Sequence, residues 1–373
     1  MNVPKLRFNE FNTEWNEIKL SDYCTIITKG TTPSKFYNSG IRFIKIESLN
    51  NHYIDNSKCL YIDDKTHFGN LKRSILFEND ILFAIAGATV GKCGIVRKIN
   101  LPANTNQALS IIRLKNSINP LFVLNCLDSY NMRKYIFLNV AIGAQPNLNL
   151  EQIANFRFKI PSKIEQDKII NLINLLDKKI ELQLKKIEAL KLYKLCILKY
   201  IFSSATIKTK LKSISNIKKG EQINSEELSK SGSYYMLNGG TEPSGYLEKY
   251  NTLENTITIS EGGNSCGYVK YNKCKFWCGG HCYSIENKMI DNHYLYQSLK
   301  FNENKIMRLR IGSGLPNIQK KDLENFELSI HEKNDQHKIA KLLIKCDTKI
   351  ELEQDLLNLL LNLKKGLMQN MFV

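Results

Sequence analysis

The chain has 373 residues, of which 43% are hydrophobic and 24% are charged, a length and composition that suit two or more soluble domains. It has no apolar run near the roughly 20 residues of a membrane helix and no apolar N-terminal segment typical of a signal peptide, so we expect a cytoplasmic protein with reduced cysteines and no membrane partner. The net charge of +17 favours nucleic acid as a partner, although charge alone also fits an ordinary basic protein.

Residues 19–145, here called the first globule, are predicted to form a β-rich domain behind a leader of residues 1–18. Short runs of β-branched and aromatic residues, such as "IRFIKI", "DILFAIA" and "ALSIIRL", alternate with turns, as in twisted antiparallel sheets. The loops carry side chains that can reach bases or phosphates but are also common turn formers. The candidate DNA-contacting residues of these loops are Thr31, Thr32, Ser34, Lys35, Thr89, Lys92, Asn106 and Gln107.

The next segment, residues 146–204, is predicted to contain a helix of about 40 residues, or about 60 Å. Its apolar residues recur at steps of three and four from Ile169 to Ile201, which is the spacing of a coiled-coil seam. Two polar residues, Gln183 and Lys194, interrupt the seam. A polar residue in such a seam favours one specific register with a partner helix.

Residues 208–315, here called the second globule, alternate apolar runs and turns in the same way, for example in "NTITIS" and "FWCGGHCYSI". We therefore predict a second β-rich domain whose loops face the same kind of partner. The candidate DNA-contacting residues of its loops are Asn238, Thr241, Ser244, Asn264, Ser265 and Lys270.

The second globule also contains four potential metal donors at Cys274, Cys278, His281 and Cys282. Their spacing differs from the paired C-x₂-C of a zinc ribbon. The adjacent His281 and Cys282 would point to opposite faces of a strand. We interpret these residues as core or loop residues, with a zinc site as the alternative.

The last segment repeats the first helix. With an offset of 170 residues, 146–202 aligns with 316–372 without a gap, and both copies contain the run "KIEL". The polar interruptions also coincide, because Glu353 and Lys364 take the places of the two interruptions in the first copy. We predict two long helices that pack against each other about a pseudo-two-fold axis, with an ordinary helical hairpin as the alternative.

Weaker repeats precede each helix. "NDILFAIAGATVGKCGIV" resembles "NTITISEGGNSCGYV", since both read as an apolar strand, a Gly-rich turn and then Cys-Gly-x-Val. "NPLFVLNCL" resembles "DNHYLYQSL", and each is predicted to be a short helix. The chain therefore reads as globule, helix, globule, helix, in which the globules have diverged more than the helices.

The sequence lacks the motifs of several catalytic sites. No G-x-x-x-x-G-K-[ST] phosphate-binding loop and no H-E-x-x-H zinc motif occur. "NPLF" at Asn119–Phe122 resembles the N-P-P-[YF] loop of amino-methyltransferases but lacks its second proline. We predict no catalytic residues, no cofactor and no metal ligands, which argues against a lone methyltransferase.

The layout resembles a specificity subunit of a type I restriction–modification system over essentially the whole chain. The motifs that carry the resemblance are the leader "PKLRFNEF", the "QPN" and "LPNI" segments before the helices, the "PSKIEQDKI" helix start, and "NGGTEPSGY" with "FWCGGH". One departure is His331, which stands where this family usually has proline.

The resemblance implies an α+β fold with two β-rich target recognition domains separated by two long helices, which pack as an antiparallel coiled coil. It implies the boundaries 1–145 and 205–315 for the recognition domains and 146–204 and 316–373 for the spacer helices. Each recognition domain would read one half of a bipartite, asymmetric site in double-stranded DNA. The helices would dock two methyltransferase subunits, which restriction and translocase subunits join, so this chain would be non-catalytic. The alternative is a coiled-coil interaction scaffold that does not read DNA.

Overall fold

We describe the fold from a computed structural model, which describes residues 3–50, 52–139, 147–287, 289–312, 314 and 316–372. The chain divides into two compact units, one of Met1–Leu182 with Leu357–Val373 and the other of Gln183–Leu356. Each unit holds one globule and part of each long helix. Within the described ranges, no helix has the length and apolarity needed to cross a membrane. The "QPN" motif lies mostly outside the described residues, as do two positions near "LPNI".

The first unit is built on short strands and helices that lead into a long helix. Its described strands are β1 (Asn16–Lys19), β2 (Cys24–Lys29), β3 (Ile41–Ile44), β4 (Leu49–Asn50), β5 (Tyr53–Ile54), β6 (Leu60–Ile62), β7 (Ile81–Ala84), β8 (Cys93–Ile95), β9 (Ala103–Thr105), β10 (Leu109–Leu114) and β11 (Arg157–Ile160). Its described helices are α1 (Asp64–Phe68), α2 (Pro120–Leu127), α3 (Tyr130–Asn139), α4 (Leu150–Ala154) and α5 (Lys163–Ser203), which continues into the second unit.

The strands of the first unit form a four-stranded antiparallel sheet in the order β2-β10-β7-β8 and a three-stranded sheet in the order β6-β3-β9. In the smaller sheet β3 is antiparallel to β6 but parallel to β9, so the prediction of purely antiparallel sheets was wrong here. The strand β7 is buried along its whole length, which explains why its sequence "ILFA" does not alternate. The core beside it includes Trp15, Phe122 and the start of α5.

The second unit contains a matching set of elements. Its described strands are β12 (Ile207–Lys210), β13 (Ser215–Lys219), β14 (Tyr234–Leu237), β15 (Gly245–Leu247), β16 (Thr256–Ser260), β17 (Val269–Asn272), β18 (Trp277–Cys278), β19 (Cys282–Asn287) and β20 (Glu327–Ile330). Its described helices are α6 (Leu211–Ile214), α7 (Asn292–Phe301), α8 (Glu303–Met307), α9 (Lys320–Asn325) and α10 (Lys333–Met371), which continues into the first unit.

The second unit repeats the connectivity of the first. Its four-stranded sheet has the order β13-β19-β16-β17, and its three-stranded sheet has the order β15-β14-β18, again with one parallel pair. The pair β12-β20 before α10 corresponds to the pair β1-β11 before α5. The predicted short helices are α2 and α7, each of which begins after a capping side chain, Asn119 or Asp291. The predicted α+β fold with an internal repeat is confirmed.

The Gly-rich turns of the two globules are structurally equivalent. Gly91 and Gly267 both have a φ of +91°, which favours glycine. The N–H of each glycine donates to the carbonyl of the last residue of the preceding strand, which is Ala84 in the first globule and Ser260 in the second. The sequence resemblance between these two segments therefore reflects a shared strand and turn.

The two Cys-Gly-x-Val patterns, in contrast, are not equivalent. Because Gly267 matches Gly91, the cysteine that precedes Gly267 lies in the turn, whereas Cys93 begins the strand after it. The matching strand of the second globule begins at Val269. The sequence alignment was thus offset by three residues at this point, because the turns hold their glycines at conserved positions and their cysteines at different ones.

The long helices pack antiparallel through their polar interruptions as well as their apolar seam. In the second unit, Lys194 of α5 donates to Asp347 of α10, and the Gln183 Nε2 donates to the Glu353 Oε2 at 2.7 Å. Higher residue numbers on α5 therefore meet lower numbers on α10. In the first unit the reciprocal pair forms, since Lys364 of α10 donates to an α5 carboxylate, that of Asp177. Each polar interruption thus has a polar partner on the other helix, which favours this register.

The leader packs against the start of α5. The guanidinium of Arg7 makes two hydrogen bonds to the Glu165 carboxylate, at 2.7 and 2.8 Å, and the side chain of Glu165 is completely buried. The indole N–H of Trp15 also donates to this carboxylate, at 3.3 Å. The arginine and the tryptophan of the leader thus compensate one buried charge at the start of the helix.

The residue that departs from the family pattern has its own partner. The backbone N–H of His331 donates to the hydroxyl of Tyr294 at 2.9 Å, and its ring Nδ1 lies 2.7 Å from the same oxygen. A proline could not donate this bond because it has no N–H. In the first unit the matching positions are Pro161 and Phe122, neither of which offers the polar group of its counterpart. The histidine and the tyrosine therefore replace the proline and the phenylalanine as a pair.

Candidate nucleic-acid interface

The candidate loops of the first globule meet at one edge of its four-stranded sheet. Strands β2 and β7 end at this edge, and β10, which is antiparallel to both, begins there. Two backbone hydrogen bonds hold the loops together. The Thr31 N–H donates to the Thr105 carbonyl at 3.2 Å, and the Ile85 N–H donates to the Ala108 carbonyl at 3.0 Å. This edge, which we call the first loop edge, carries most of the predicted contact residues of the globule.

Three of those residues lie in one connected group. The hydroxyl of Thr32 contacts the side-chain oxygen of Gln107, so the loop after β2 and the loop before β10 are linked. The hydroxyl of Thr31 accepts a hydrogen bond of 3.2 Å from the Nε of Arg73. Thr32, Gln107 and Arg73 are exposed, so their polar groups can face a ligand. Amide and guanidinium groups can both read base edges.

The other predicted residues of the first globule have more local roles. The side chain of Asn106 accepts a hydrogen bond from the backbone of its own turn, as expected of a turn former. The ammonium of Lys92 donates to the Ile46 carbonyl at 3.3 Å, and that of Lys35 lies 5.1 Å from the ring centroid of Tyr37. Ser34 and Thr89 are exposed.

The second globule has an equivalent edge, which we call the second loop edge. Strands β13 and β16 end there, and β19 begins there. The carboxamide oxygen of Asn238 accepts the N–H of His281 at 3.1 Å, and the hydroxyl of Ser260 donates to the Gly239 carbonyl at 2.6 Å. The loop after β14 is therefore fastened to the loops at this edge.

The remaining predicted residues of the second globule lie beside this edge. The ammonium of Lys270 donates to the Thr241 carbonyl at 3.2 Å and lies 5.6 Å from the ring centroid of Tyr235. Thr241, Ser244 and Asn264 are exposed, and Ser265 is half-buried. Both loop edges thus offer hydroxyl and amide groups with a lysine held against the surface.

Two cationic residues of these edges were missed in the sequence. Arg73 lies in a short helical turn far in sequence from the loop that it contacts, and no motif marks it. Arg310 is exposed beside the second Gly-rich turn, where its positive charge opposes the rise in the pKa of Cys266 that burial causes. Its signal was only a basic residue before the "LPNI" segment. Arginine forms the commonest specific contact with guanine.

The four potential metal donors of the second globule do not converge. Cys278 and Cys282 are buried around a tight turn, Cys274 is exposed, and the exposed His281 ring lies 3.9 Å from the Glu261 carboxylate. In the described part of the chain, three His, Cys, Asp or Glu donor atoms do lie within 4.8 Å of one another, but this group is in the first globule. The interpretation as core and loop residues agrees with these positions.

Sequence comparison matches two stretches of the chain, residues 12–192 and 207–362, to the type I restriction modification DNA specificity domain. The chain belongs to this family. Each match contains one globule with its loop edge and most of the helix that follows, so the family's domain occurs twice. The repeat seen in the fold and the repeat seen by comparison coincide.

Individual relatives agree with this membership. A Mycoplasma genitalium protein assigned as a type I specificity subunit is 35% identical over 148 residues, which cover 39% of this chain and only 38% of that relative. A Methanocaldococcus jannaschii protein assigned as the MjaX specificity subunit is 23% identical across 95% of this chain and 91% of its own. The crystal structure of a type I S subunit from M. genitalium has a TM-score of 0.67 at 20% identity and covers 100% of this chain and 99% of its own. At that identity the likeness shows the fold.

Proposed function

We propose that this chain is the DNA-reading subunit of a type I restriction–modification complex and that each globule reads one half of a bipartite, asymmetric site. The observation that carries the proposal is the pair of loop edges. The same strands present loops at the same edge in both units, but the side chains on those loops differ. Two copies of one recognition fold with different contact residues suit two different half-sites.

Phosphate contacts would come from the basic residues of the loop edges, and base contacts from their arginine and amide groups. In the first globule, Arg73 and Gln107 are the strongest candidates for base reading because both are exposed within one connected group. Lys35, Lys92 and Lys270 would contact phosphates. A protein that neutralises several phosphates loses affinity steeply as salt rises.

The long helices offer a surface for protein partners. Exposed leucines occupy the sides of both helices that face away from their apolar seam, and their exposed fractions lie between 53% and 68% for Leu175, Leu182, Leu359 and Leu363 in the first unit. Exposed apolar residues in such numbers are typical of interaction surfaces. We propose that these faces dock two methyltransferase subunits and that catalysis, restriction and translocation belong to the partners.

The test is methylation-sensitive sequencing of a host that carries this chain with its methyltransferase partner. We expect one split motif, with two short specified halves and an unread spacer, that disappears when this chain is deleted. The scaffold alternative predicts that deletion leaves the methylation pattern unchanged. A complementary measurement is the affinity of the assembled complex for DNA as a function of salt, which should fall with a slope of about 0.9 per phosphate contacted.

A further inference from the structure

Three side chains of the first globule converge beside the β4–β5 turn. His52 lies in that turn, Cys93 begins β8, and Asp128 follows the last residue of α2. One donor atom of each lies within 4.8 Å of the other two. We propose that His52, Cys93 and Asp128 form a binding site for a transition-metal dication of the zinc type. The site goes beyond the proposed DNA reading and does not depend on it.

The donor set selects the class of ion. Imidazole nitrogen, thiolate sulfur and carboxylate oxygen are all zinc ligands, whereas magnesium and calcium prefer oxygen alone. The Nε2 of His52 lies 3.0 Å from the Oδ2 of Asp128. Two such ligands around tetrahedral zinc stand about 3.3 Å apart. A small outward movement of these two side chains would therefore admit the ion between them.

The fold holds the histidine in place. His52 has a φ of +70°, a conformation that costs energy in a residue other than glycine. The Ile95 N–H donates to the His52 carbonyl at 3.0 Å, which fastens the turn to β8. A Cβ at Gly94 would lie 3.0 Å from the Leu49 side chain, which would have to shift if this glycine were replaced.

The site combines one buried donor with two that solvent can reach. Cys93 is only 3% exposed, while the side chains of His52 and Asp128 are each 24% exposed. The thiol of Cys93 has a weak partner, the Leu124 carbonyl at 4.0 Å. An ion could thus enter from solvent between the histidine and the aspartate and bind the sulfur beneath them. A solvent molecule would complete a four-coordinate shell. Binding would release the proton of the thiol, because zinc binds the thiolate.

Arg133 competes for the same carboxylate. Its Nε and its terminal nitrogen both donate to the Asp128 Oδ1, at 3.1 and 2.5 Å. The guanidinium neutralises part of the charge that would attract a dication and repels the ion directly. Its side chain is 65% exposed, so it can swing into solvent. Removal of this arginine should therefore strengthen metal binding.

The second globule provides an internal comparison. The matching positions for the cysteine and the aspartate carry Val269 and Lys300, neither of which binds zinc. The ammonium of Lys300 donates to the Val269 carbonyl at 3.0 Å and to the Glu303 carboxylate. A positive side chain thus occupies the place that the first globule offers to an ion, so we expect one site per chain.

The experiment uses the full chain, stripped with a chelator and titrated with Zn²⁺ or, separately, Co²⁺. Cobalt reports its ligands through a thiolate-to-metal absorption band. We expect one equivalent to bind with that band, and we expect the band to vanish in Cys93→Ser. His52→Asn should weaken binding at least tenfold, since asparagine tolerates the same backbone conformation. Zinc should raise the unfolding temperature of the wild type more than that of either variant.

The matched controls are cysteines outside the site. Cys126 is buried in the same core, and Cys274 is exposed in the second globule. Cys126→Ser and Cys274→Ser should both retain the band. Arg133→Ala should bind cobalt several-fold more tightly, a gain that a purely structural ion pair would not produce. The proposal is wrong if no stoichiometric binding occurs, if Cys93→Ser keeps the band, or if Arg133→Ala leaves the affinity unchanged.

Discussion

The two helices have kept individual residues since the duplication, whereas the two globules have kept their connectivity. In the helices, the same lysine–aspartate pair forms twice. Lys194 of α5 pairs with Asp347 of α10, and Lys364 of α10 pairs with Asp177 of α5. The globules keep connectivity and the conformation of one Gly-rich turn, while their loop residues differ. A residue on a helix seam has a fixed partner, so its change costs stability, whereas a loop residue that faces solvent costs little. Under the proposed function, the similar helices would serve assembly and the diverged loops would serve DNA reading.

Exchange of a whole globule tests this separation with the largest expected effect. We expect replacement of residues 208–315 by the equivalent segment of a relative to change one half of the methylated motif completely. The other half should stay as it was, because each loop edge is built within its own unit. Methylation-sensitive sequencing of both proteins reads out the two halves. A change in both halves would show that the globules do not read independently.

A single residue should sharpen the same comparison. Arg73→Ala should relax one base pair of the half-site read by the first globule by about 1–3 kcal/mol. Loss of a phosphate contact, in contrast, should weaken binding to all sequences equally. The measurement is the affinity of the complex for a panel of single-base variants at fixed salt. Lys35→Ala serves as the matched control, since its ammonium is exposed on the same globule.

Two outcomes of this panel are distinct. A selective loss in Arg73→Ala and a uniform loss in Lys35→Ala would support base reading at the first loop edge. The same panel should be run on Gln107→Ala, whose contact lies at this edge, and on Lys92→Ala, whose ammonium donates to the Ile46 carbonyl. Uniform losses in all four variants would mean that the edge positions DNA without reading it.

The matched ion pairs of the helices should differ in strength. The Lys194 side chain is 14% exposed, and its partner Asp347 also accepts a hydrogen bond from Gln297 at 2.6 Å. The Lys364 side chain is 31% exposed in the reciprocal pair with Asp177. Asp347→Ala should therefore cost about 2 kcal/mol and Asp177→Ala about 1 kcal/mol, since the more buried lysine loses more when unpaired. Urea denaturation measures both.

The exposed Asp355 on α10 provides the control for these variants. Asp355→Ala should leave the urea midpoint within the error of the wild type. Equal losses in Asp347→Ala and Asp177→Ala would indicate that the two copies of the pair are equivalent despite their different burial. DNA specificity should be unchanged in all three variants, which distinguishes a less stable helix pair from altered DNA recognition.

The sequence predicted the helices better than the loops for a physical reason. A periodic seam with a polar interruption favours one register with a partner helix, and Gln183 and Glu353 interrupt the two seams at aligned positions. Contacts between distant segments leave no periodic signal. The contact of Arg73 with Thr31 spans 42 residues, and the His52, Cys93 and Asp128 donors come from three separate elements. Only the folded chain brings such groups together.

The smallest effect that we predict concerns pH, because the polar interruption is a glutamine in one helix and a glutamate in the other. Hydrogen bonds from Lys186, Lys349 and Gln183 lower the pKa of Glu353 from 4.5 to about 2. A carboxylate whose pKa falls on folding adds stability above its unfolded pKa. That stability is lost as the pH drops through the folded pKa. The contribution of Glu353 is therefore complete at neutral pH and disappears between about pH 4.5 and pH 2.

Glu353→Gln removes this titration while keeping the shape and a hydrogen-bonding group. At pH 7 the variant should unfold at a lower urea concentration than the wild type, because three partners lose their negative acceptor. As the pH falls toward 2 the difference should shrink to nothing, since the wild-type group becomes neutral too. Asp355→Asn, two residues away on the exposed side, is the control. If the difference in urea midpoint stayed constant with pH, Glu353 would act through packing. The helix pair would then depend on the shape of this side chain and not on its charge.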